Sequence, residues 1–371
     1  MEGFFEIFIP PAYHKLGFDF LQAYELEKEI DCPNEKMKGL IPKTKRVCRF
    51  CKLKYGEVYF KKDAHLISKL LGNKYLVSDF ECDTCNGIFS NYESHLSHYL
   101  GPNRAFQKLL GVDQDYKFKS PNKETVAEDF KLYGLENSFS ISREDVQGQT
   151  FEFDREAGTT LIRFTKHSYS PILLYKSILK IALSCLKNQD VSDYDLAFKY
   201  LISDKFDDKI GGFSKLLIYS TPPGTGHKTP FAFLYKKKNS KQKICTHVFV
   251  LYFMNQIFQI VIPLNKNDLG FFNNEPIPMF FYPPIYHDSA TANSIQIRDQ
   301  MLDLTSKELV KNEQEIISFR YDVNEYAKGV SYDLATNEIK EGTFDPNSVK
   351  QIVIMPKNSF LDLPINKQKS Q

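Results

Sequence analysis

The sequence of 371 residues contains no tryptophan, little cysteine and almost no net charge. Its 48 lysine and arginine residues are balanced by 46 aspartate and glutamate residues, so only a local excess of positive charge can mark a surface for polyanions. Three of the seven cysteines, Cys32, Cys185 and Cys245, are scattered without a partner at close spacing. This usage argues against a disulfide framework and indicates a reducing, cytoplasmic setting.

The chain also lacks an uninterrupted apolar run long enough to span a membrane. Its most apolar stretch, residues 247–264, is broken by Asn255, Gln256 and Gln259, and this pattern predicts a hairpin rather than a membrane helix. The first residues lack the basic start and the apolar core of a secretory signal. We therefore expect a soluble protein without membrane contact.

Four cysteines form two Cys-x-x-Cys pairs, Cys48/Cys51 and Cys82/Cys85. Two close pairs are typical of a tetrahedral zinc site rather than of disulfides. The 30 residues between the pairs exceed the fifteen to twenty of a plain zinc ribbon. We predict that the four cysteines bind structural Zn²⁺ and that the long loop between them carries a functional element.

Within this loop, residues 57–60 and 63–67 have the alternation of two short strands. From Thr84 onward the apolar residues follow the 3.6-residue period of a helix. The apolar stripe consists of Ile88, Phe89, Tyr92, Leu96 and Tyr99. His65 then lies on the second strand and Asn86 on the first turn of the helix, so the predicted order is strand, strand, helix.

Over residues 47–102, this arrangement resembles the HNH endonucleases, in the zinc-stapled branch of the ββα-metal fold that carries Cys-x-x-Cys pairs on both sides. The resemblance implies that His65 is the general base that takes a proton from water. It further implies that Asn86 and an acidic residue beside the histidine hold a divalent cation, Mg²⁺ or Mn²⁺, against the scissile phosphate.

Two positions depart from the family pattern. The residue directly before His65, usually acidic, is Ala64, and the nearest carboxylate is that of Asp63. Because side chains alternate along a strand, Asp63 and His65 share a face, which makes Asp63 the candidate second ligand. The central asparagine that often orients the base has no obvious match, and Ser78 and Asp79 lie near its place.

The chemistry of phosphodiester hydrolysis agrees with these residue types. A histidine has an unperturbed pKa of about 6.5 and can accept a proton near neutral pH, and a divalent cation can stabilise the charge that develops on the phosphate. Ten basic residues lie between positions 43 and 75, against only Glu57 and Asp63. They are Lys43, Lys45, Arg46, Arg49, Lys52, Lys54, Lys61, Lys62, Lys69 and Lys74. Such a stretch favours phosphate contacts that do not read sequence.

The length is sufficient for two or three domains. The predicted ranges are an N-terminal segment at 1–45, a nuclease module at 46–112, a connector at 113–150 and a C-terminal domain at 151–371. In the N-terminal segment, a strand is predicted at 4–9 and a helix at 18–30. His167, His227, His247 and His287 have no partner at ligand spacing and are predicted to be structural.

The C-terminal domain is predicted to combine helices with an antiparallel sheet. Pro171 opens a helix with a buried face, and a further helix is expected at 194–202. Four apolar or alternating runs predict an antiparallel meander. These runs are residues 215–220, 231–236, 246–253 and 257–263. Other strands are expected at 151–153, 160–164, 315–321 and 349–355.

The predicted fold class is therefore α+β, with a zinc-bound ββα-metal (HNH) module before a larger α+β domain. The predicted function is metal-dependent hydrolysis of phosphodiester bonds in DNA, with RNA left open, and the resemblance suggests a role in prokaryotic defence. The larger domain would select the target or bind an activating ligand or partner protein. An alternative, motivated by Ala64, is a zinc-stabilised nucleic-acid-binding module without catalysis.

Overall fold

The computed structural model of the protein describes most of the chain. The described residues are 7–35, 41–110, 116–129, 138–144, 150–154, 156–203, 212–222, 225–271, 278–320, 330–333, 338–341 and 349–354. Within them, helices alternate with antiparallel sheets, and the predicted α+β class is confirmed. None of the described helices has the length and apolar character needed to cross a membrane.

The elements are numbered here in chain order. The described α-helices are α1 (His14–Ala23), α2 (Asp83–Leu100), α3 (Pro171–Cys185), α4 (Asp195–Ile202) and α5 (Ser289–Ser294). The first nine strands are β1 (Tyr24–Asp31), β2 (Ala64–His65), β3 (Val77–Ser78), β4 (Phe118–Lys119), β5 (Thr125–Asp129), β6 (Phe139–Arg143), β7 (Phe151–Asp154), β8 (Thr159–Thr165) and β9 (Lys215–Ser220). The others are β10 (His227–Lys237), β11 (His247–Met254), β12 (Gln256–Val261), β13 (Arg298–Asp303), β14 (Gln314–Arg320), β15 (Val330–Asp333), β16 (Glu338–Glu341) and β17 (Gln351–Ile354).

Spatial contacts divide the chain into two compact units, each made of two stretches that are distant in the sequence. Unit 1 comprises Met1–Ser97 and Tyr169–Leu309, and unit 2 comprises His98–Ser168 and Val310–Gln371. The four cysteines, His65 and Asn86 all belong to unit 1. The four consecutive domain ranges given in the sequence analysis stay a prediction.

Unit 1 contains a six-stranded antiparallel sheet in the order β1-β10-β11-β12-β9-β13. The four predicted strands are present, and the apolar run at 247–264 is the β11–β12 hairpin, turning at Asn255. Every residue of β11 is buried, which explains its continuous apolar character. The predicted meander is correct for β10 to β12 but wrong for β9, which pairs with the far side of β12.

The N-terminal prediction is correct only in part. The helix ends at Ala23, and residues 24–31 form β1, which pairs with β10 at the edge of the sheet. The helix predicted over 18–30 is therefore wrong after residue 23, because pairing with a distant strand overrides the local pattern. Residues 4–6 of the strand predicted at 4–9 lie outside the described residues, and in the described half Phe8 forms only an isolated bridge with Tyr286.

Helix α3 lies in the interior of unit 1. The predicted helix opened by Pro171 is confirmed, but its burial extends beyond one face, because fourteen of its fifteen residues are buried. Two of them are lysines, Lys176 and Lys180, which are 1 % and 2 % exposed. A buried lysine requires a partner, so α3 carries polar contacts as well as apolar packing.

Unit 2 is built from two antiparallel sheets, with strand orders β17-β6-β5-β4 and β14-β8-β7, and a two-stranded ribbon of β15 and β16. The strands predicted near 151–164, 315–321 and 349–355 are confirmed. Their buried side chains surround Phe106, whose ring lies 4.7 Å from that of Phe139 in an edge-to-face contact. The unit therefore has an aromatic core of its own.

A buried ionic cluster ties the sheet edge of unit 1 to the turn before α4. Glu27 occupies a bulge in β1, and its carboxylate accepts a hydrogen bond from His247 Nε2 at 3.0 Å. The Lys236 ammonium lies 3.2 Å from Glu27 Oε1 and 2.7 Å from Asp190 Oδ1. The ligand atoms of Glu27, Asp190 and His247 lie within 4.8 Å of one another, but the two carboxylates are already paired with ammonium groups, that of Lys236 and, at 3.9 Å from Glu27, that of Lys187. We interpret the cluster as structural, as predicted for His247.

Replacement of Glu27 by glutamine tests this cluster. Burial raises the pKa of Glu27, but His247 and Lys236 outweigh burial and lower the pKa from 4.5 to about 2. The ionised carboxylate therefore stabilises the fold above about pH 4.5, and this contribution is lost as the pH falls towards 2. We expect E27Q to lose about 1–3 kcal/mol at pH 7, from one charge-assisted hydrogen bond, and less at pH 3. Urea unfolding at the two pH values measures both losses, and equal losses would contradict the assignment.

Candidate metal centre and the adjoining hairpin

The four predicted cysteines meet in one cluster. The Sγ atoms of Cys48 and Cys85 lie 3.7 Å apart, those of Cys51 and Cys82 lie 3.8 Å apart, and all four lie within 4.8 Å of one another. Four sulfurs at the corners of a tetrahedron, each about 2.3 Å from a Zn²⁺ ion, would be about 3.8 Å apart. The cluster is therefore compatible with a zinc site.

The protonation behaviour of the thiols agrees with this geometry. Burial raises the pKa of Cys82 to about 12, whereas the hydrogen bond with Cys85 lowers the pKa of Cys48 to about 5. The charge of Cys48 adds to the shift at Cys82, because one thiolate makes ionisation of its neighbours less favourable. A divalent cation offsets this repulsion, and four thiolates are a donor set that suits Zn²⁺.

The loop between the cysteine pairs contains one short hairpin, formed by β2 and β3. Ala64 pairs with Ser78 and His65 with Val77. The strand predicted at 57–60 is wrong, because that segment forms only an isolated bridge between Tyr55 and Val58. His65 consequently lies on the first strand of the hairpin rather than the second, although the order strand, strand, helix is retained with α2.

Asn73 holds the loop of this hairpin closed. Its side-chain Nδ2 donates to the carbonyl oxygens of Ile67 at 2.6 Å and Leu76 at 2.8 Å, and its Oδ1 accepts from the Leu76 amide at 2.8 Å. The same Nδ2 lies 3.5 Å from Nδ1 of His65. The sequence pattern pointed instead to Ser78 and Asp79 as the residues near the histidine. The preceding Gly72 is a residue type that often marks a turn, and it has a positive φ of 104° here.

Burial alternates along the strand that carries the histidine. Asp63 is exposed, Ala64 is buried at 2 % exposure, His65 is half-buried and Leu66 is buried again. Ala64 therefore faces the interior, where a carboxylate would be strongly disfavoured. Strand β2 begins at Ala64, and the same alternation carried back by one residue would put the Asp63 side chain on the side of His65.

Asp83, in the first turn of α2, fixes the helix to the segment that precedes the hairpin. Its amide donates to the Tyr59 carbonyl at 2.8 Å, and its carboxylate accepts from the amides of Lys61 at 3.1 Å and Lys62 at 3.0 Å. Asn86 lies three residues later, on the same side of the helix. Asn86 is half-buried, and its backbone N–H donates to the Cys82 carbonyl at 2.9 Å.

The apolar stripe of α2 faces the interior as predicted. Phe89, Tyr92 and Leu96 are buried, and the Phe89 ring meets the Phe50 ring at 4.6 Å. Further along the same helix, His95 has a structural partner, since its Nδ1 accepts a hydrogen bond from the Ser170 amide at 3.0 Å. The helix is thereby oriented with Asn86 at its outer, N-terminal end.

The basic stretch divides into residues that are paired within the protein and an external part of exposed lysines. Arg49 bonds to carbonyls at the end of α3, Arg46 pairs with Asp79, and Lys52, although exposed, pairs with Asp195 at 3.1 Å. The remaining lysines near the metal centre are exposed. They include Lys43, Lys45, Lys54, Lys61 and Lys62. Two exposed tyrosines lie among them, Tyr55 at 43 % and Tyr59 at 58 % exposure. The external part therefore combines cations with aromatic faces.

Comparison of the chain with protein-family models, with curated proteins and with solved structures gave no significant match. The resemblance to HNH endonucleases consequently depends on the residues named above.

The zinc assignment predicts about one Zn²⁺ per chain, held by four thiolates. We expect Cys82→Ser to lose the metal and to lower the melting temperature, because the ends of the loop are then no longer joined. Cys32→Ser is the matched control, since Cys32 lies outside the cluster. Elemental analysis and thermal unfolding of the purified variants measure both effects. Equal zinc content in the two variants would refute the site.

Asn73→Asp tests the closure of the hairpin loop. The change keeps the size and removes both N–H donors, leaving the carbonyls of Ile67 and Leu76 beside an anion. We expect a loss of about 2–5 kcal/mol in the free energy of unfolding, from two buried hydrogen bonds. Asn91→Asp, at an exposed position of α2, serves as the control. Denaturant titration compares them, and a similar small loss in both would contradict the role of Asn73.

Proposed function

We propose that the protein is a metal-dependent endonuclease of the HNH type that hydrolyses phosphodiester bonds in DNA. The observation that carries the proposal is the joining of three elements by the cysteine cluster and Asp83. These elements are the strand with His65, the segment ending at Asp63 and the first turn of α2 with Asn86. Under this proposal the cluster holds structural Zn²⁺.

Each residue has a role that its chemistry supports. His65 takes the proton from the attacking water at an imidazole nitrogen, and the Asn73 side chain lies 3.5 Å from that ring while its two N–H donors bond to the Ile67 and Leu76 carbonyls. Asp63 and Asn86 offer carboxylate and amide oxygens, which suit Mg²⁺ or Mn²⁺. A divalent cation bound there would supply positive charge to the phosphate. Asp83 keeps the two oxygen donors on elements that are hydrogen-bonded to each other.

The surroundings favour a polyanionic substrate. The exposed lysines at 54, 61 and 62 flank the segment that leads to Asp63, and none of them forms an ion pair within the described residues. Such cations bind phosphates irrespective of sequence. The role of the remaining part of unit 1 and of unit 2, in target selection or in response to an activating ligand or partner, is part of the proposal without an assigned residue.

A second candidate function is nucleic-acid binding without catalysis. The exposed Tyr55 and Tyr59, with the Lys61 ammonium 4.7 Å from the Tyr59 ring centre, favour it, because aromatic faces and cations together bind nucleic acid. A pure binder would retard DNA in a gel with or without Mg²⁺ and would never shorten it.

Cleavage of plasmid DNA in Mg²⁺ or Mn²⁺ tests the proposal. The wild type is expected to nick or linearise the plasmid, and His65→Ala to reduce the rate by about 10²–10⁴-fold, the usual contribution of a general base. Asn86→Ala should reduce the rate as well, and raise the metal concentration needed. The control is His14→Ala, because His14 is exposed and its ring bonds to the backbone carbonyl of Ile9.

Zinc content is measured for every variant, so that loss of activity is not mistaken for loss of fold. A wild type that retards DNA but leaves it intact under all metal conditions would favour the binding function. Cleavage that persists at the wild-type rate in zinc-loaded His65→Ala would remove His65 from the mechanism.

A further inference from the structure

We propose that Lys180, in the buried helix α3, is a positioning residue that holds the His65 strand and the second cysteine pair in a fixed relation. The effect of Lys180 on catalysis depends on the proposed role of His65. Its effect on the position of the strand does not, because the contacts of Lys180 are independent of any reaction.

The Lys180 ammonium joins two segments of the loop. Its Nζ donates to the carbonyl oxygen of His65 at 2.7 Å and lies 3.0 Å from Oε2 of Glu81. The side chains of Lys180 and Glu81 are 3 % and 0 % exposed. Within the described residues, neither carboxylate oxygen of Glu81 accepts a hydrogen bond, so its contact with Lys180 is an ion pair alone. A single buried cation therefore hydrogen-bonds to the strand of the proposed base and forms an ion pair with the residue directly before Cys82.

Because these contacts are buried, they restrict how far the two segments can move relative to each other. An ion pair in the interior is stabilising only when its geometry is good and its remaining donors are used, and an ammonium group has three donors. Movement of either segment would leave a buried charge without its partner, which is strongly unfavourable. Exposed salt bridges lack this property, because water replaces the lost partner.

The first cysteine pair is attached to the same helix. The guanidinium group of Arg49, the residue after Cys48, donates to the carbonyls of Ser184 at 2.9 Å and Leu186 at 3.2 Å. These carbonyls lie at the C-terminal end of α3, where cations are favoured. The guanidinium also lies 3.7 Å from the centre of the Phe80 ring. Helix α3 is thus bonded to the residues beside both cysteine pairs.

This arrangement affects the proposed active site directly. Lys180 bonds to the carbonyl oxygen of His65 itself, and Asn86 lies five residues after Glu81, in the first turn of α2. The distance between the His65 ring and the Asn86 side-chain oxygen that would bind the cation therefore depends on this ammonium group together with the cysteine cluster and Asp83. A displacement of about 1 Å in such a pair can reduce a rate by about 10²-fold.

The experiment compares Lys180→Met/Glu81→Gln with Lys176→Met. The paired change removes both charges, so no unpaired buried charge remains, but the His65 carbonyl loses its donor. Lys176 is the matched control, because it is buried on the same helix one turn earlier and bonds instead to the carbonyls of Tyr200 at 3.0 Å and Ser203 at 2.7 Å. Lys180→Arg is a third variant, which keeps the charge.

Hydrogen exchange of the hairpin amides at 64–66 and 76–78 is the first measurement, together with zinc content. We expect the paired variant to keep its zinc and to exchange these amides about tenfold faster, since one buried hydrogen bond of about 1.4 kcal/mol is lost. Lys176→Met should leave hairpin exchange unchanged, and Lys180→Arg should lie nearer the wild type. In cleavage assays, the paired variant should lower kcat by about 10–100-fold with little change in KM.

Hairpin exchange at the wild-type rate in the zinc-loaded paired variant would overturn the positioning role, whatever the activity. An increase of the same size in Lys176→Met would overturn it too, because the effect would then belong to the helix as a whole. A wild type that does not cleave DNA would refute the nuclease proposal alone, and exchange would still decide the role of Lys180.

Discussion

The convergence of four sulfurs on one point is the constraint on which the rest of the candidate site depends. The hairpin with His65 has only two residues in each strand, and so short a hairpin is not stable by itself in water. It keeps its place because both ends of the loop are held by the cysteine cluster, because Asn73 closes its turn, and because Asp83 joins the preceding segment to α2. Local propensity contributes little here, and long-range polar contacts contribute most.

Helix α3 extends this constraint into the interior of unit 1. Its two buried lysines bind backbone carbonyls of other segments rather than side chains alone. A backbone acceptor cannot change its identity by substitution, so such contacts fix where a segment lies and not only whether it is buried. The loop between the cysteine pairs is therefore part of a larger unit and differs from an independent zinc-binding module.

Much of this could be predicted from the sequence, and the failures have physical reasons. The cysteine spacing, the stripe of α2 and the strands β9 to β12 are local patterns, and they were predicted correctly. The change from helix to strand at Tyr24 depends on β10, more than two hundred residues away. The role of Asn73 depends on closure of a loop, and a lysine such as Lys180 is ordinarily assigned to a solvated face. The alternation over residues 57–60 predicted a strand, although the buried Val58 and Phe60 pack in an irregular segment.

The pairing of β1 with β10 affects the order in which contacts can form while the chain is being synthesised. A ribosome completes β1 and the cysteine loop long before α3 and β10 emerge, so the earliest contacts available to the nascent chain are the local ones within the loop. Contacts of such large sequence separation form late and slowly. The two cysteine pairs can therefore meet while the chain is still being made, whereas β1 cannot pair until β10, at residues 227–237, has emerged. Any activity that requires α3 would begin only after residue 185, halfway along the chain, has been added.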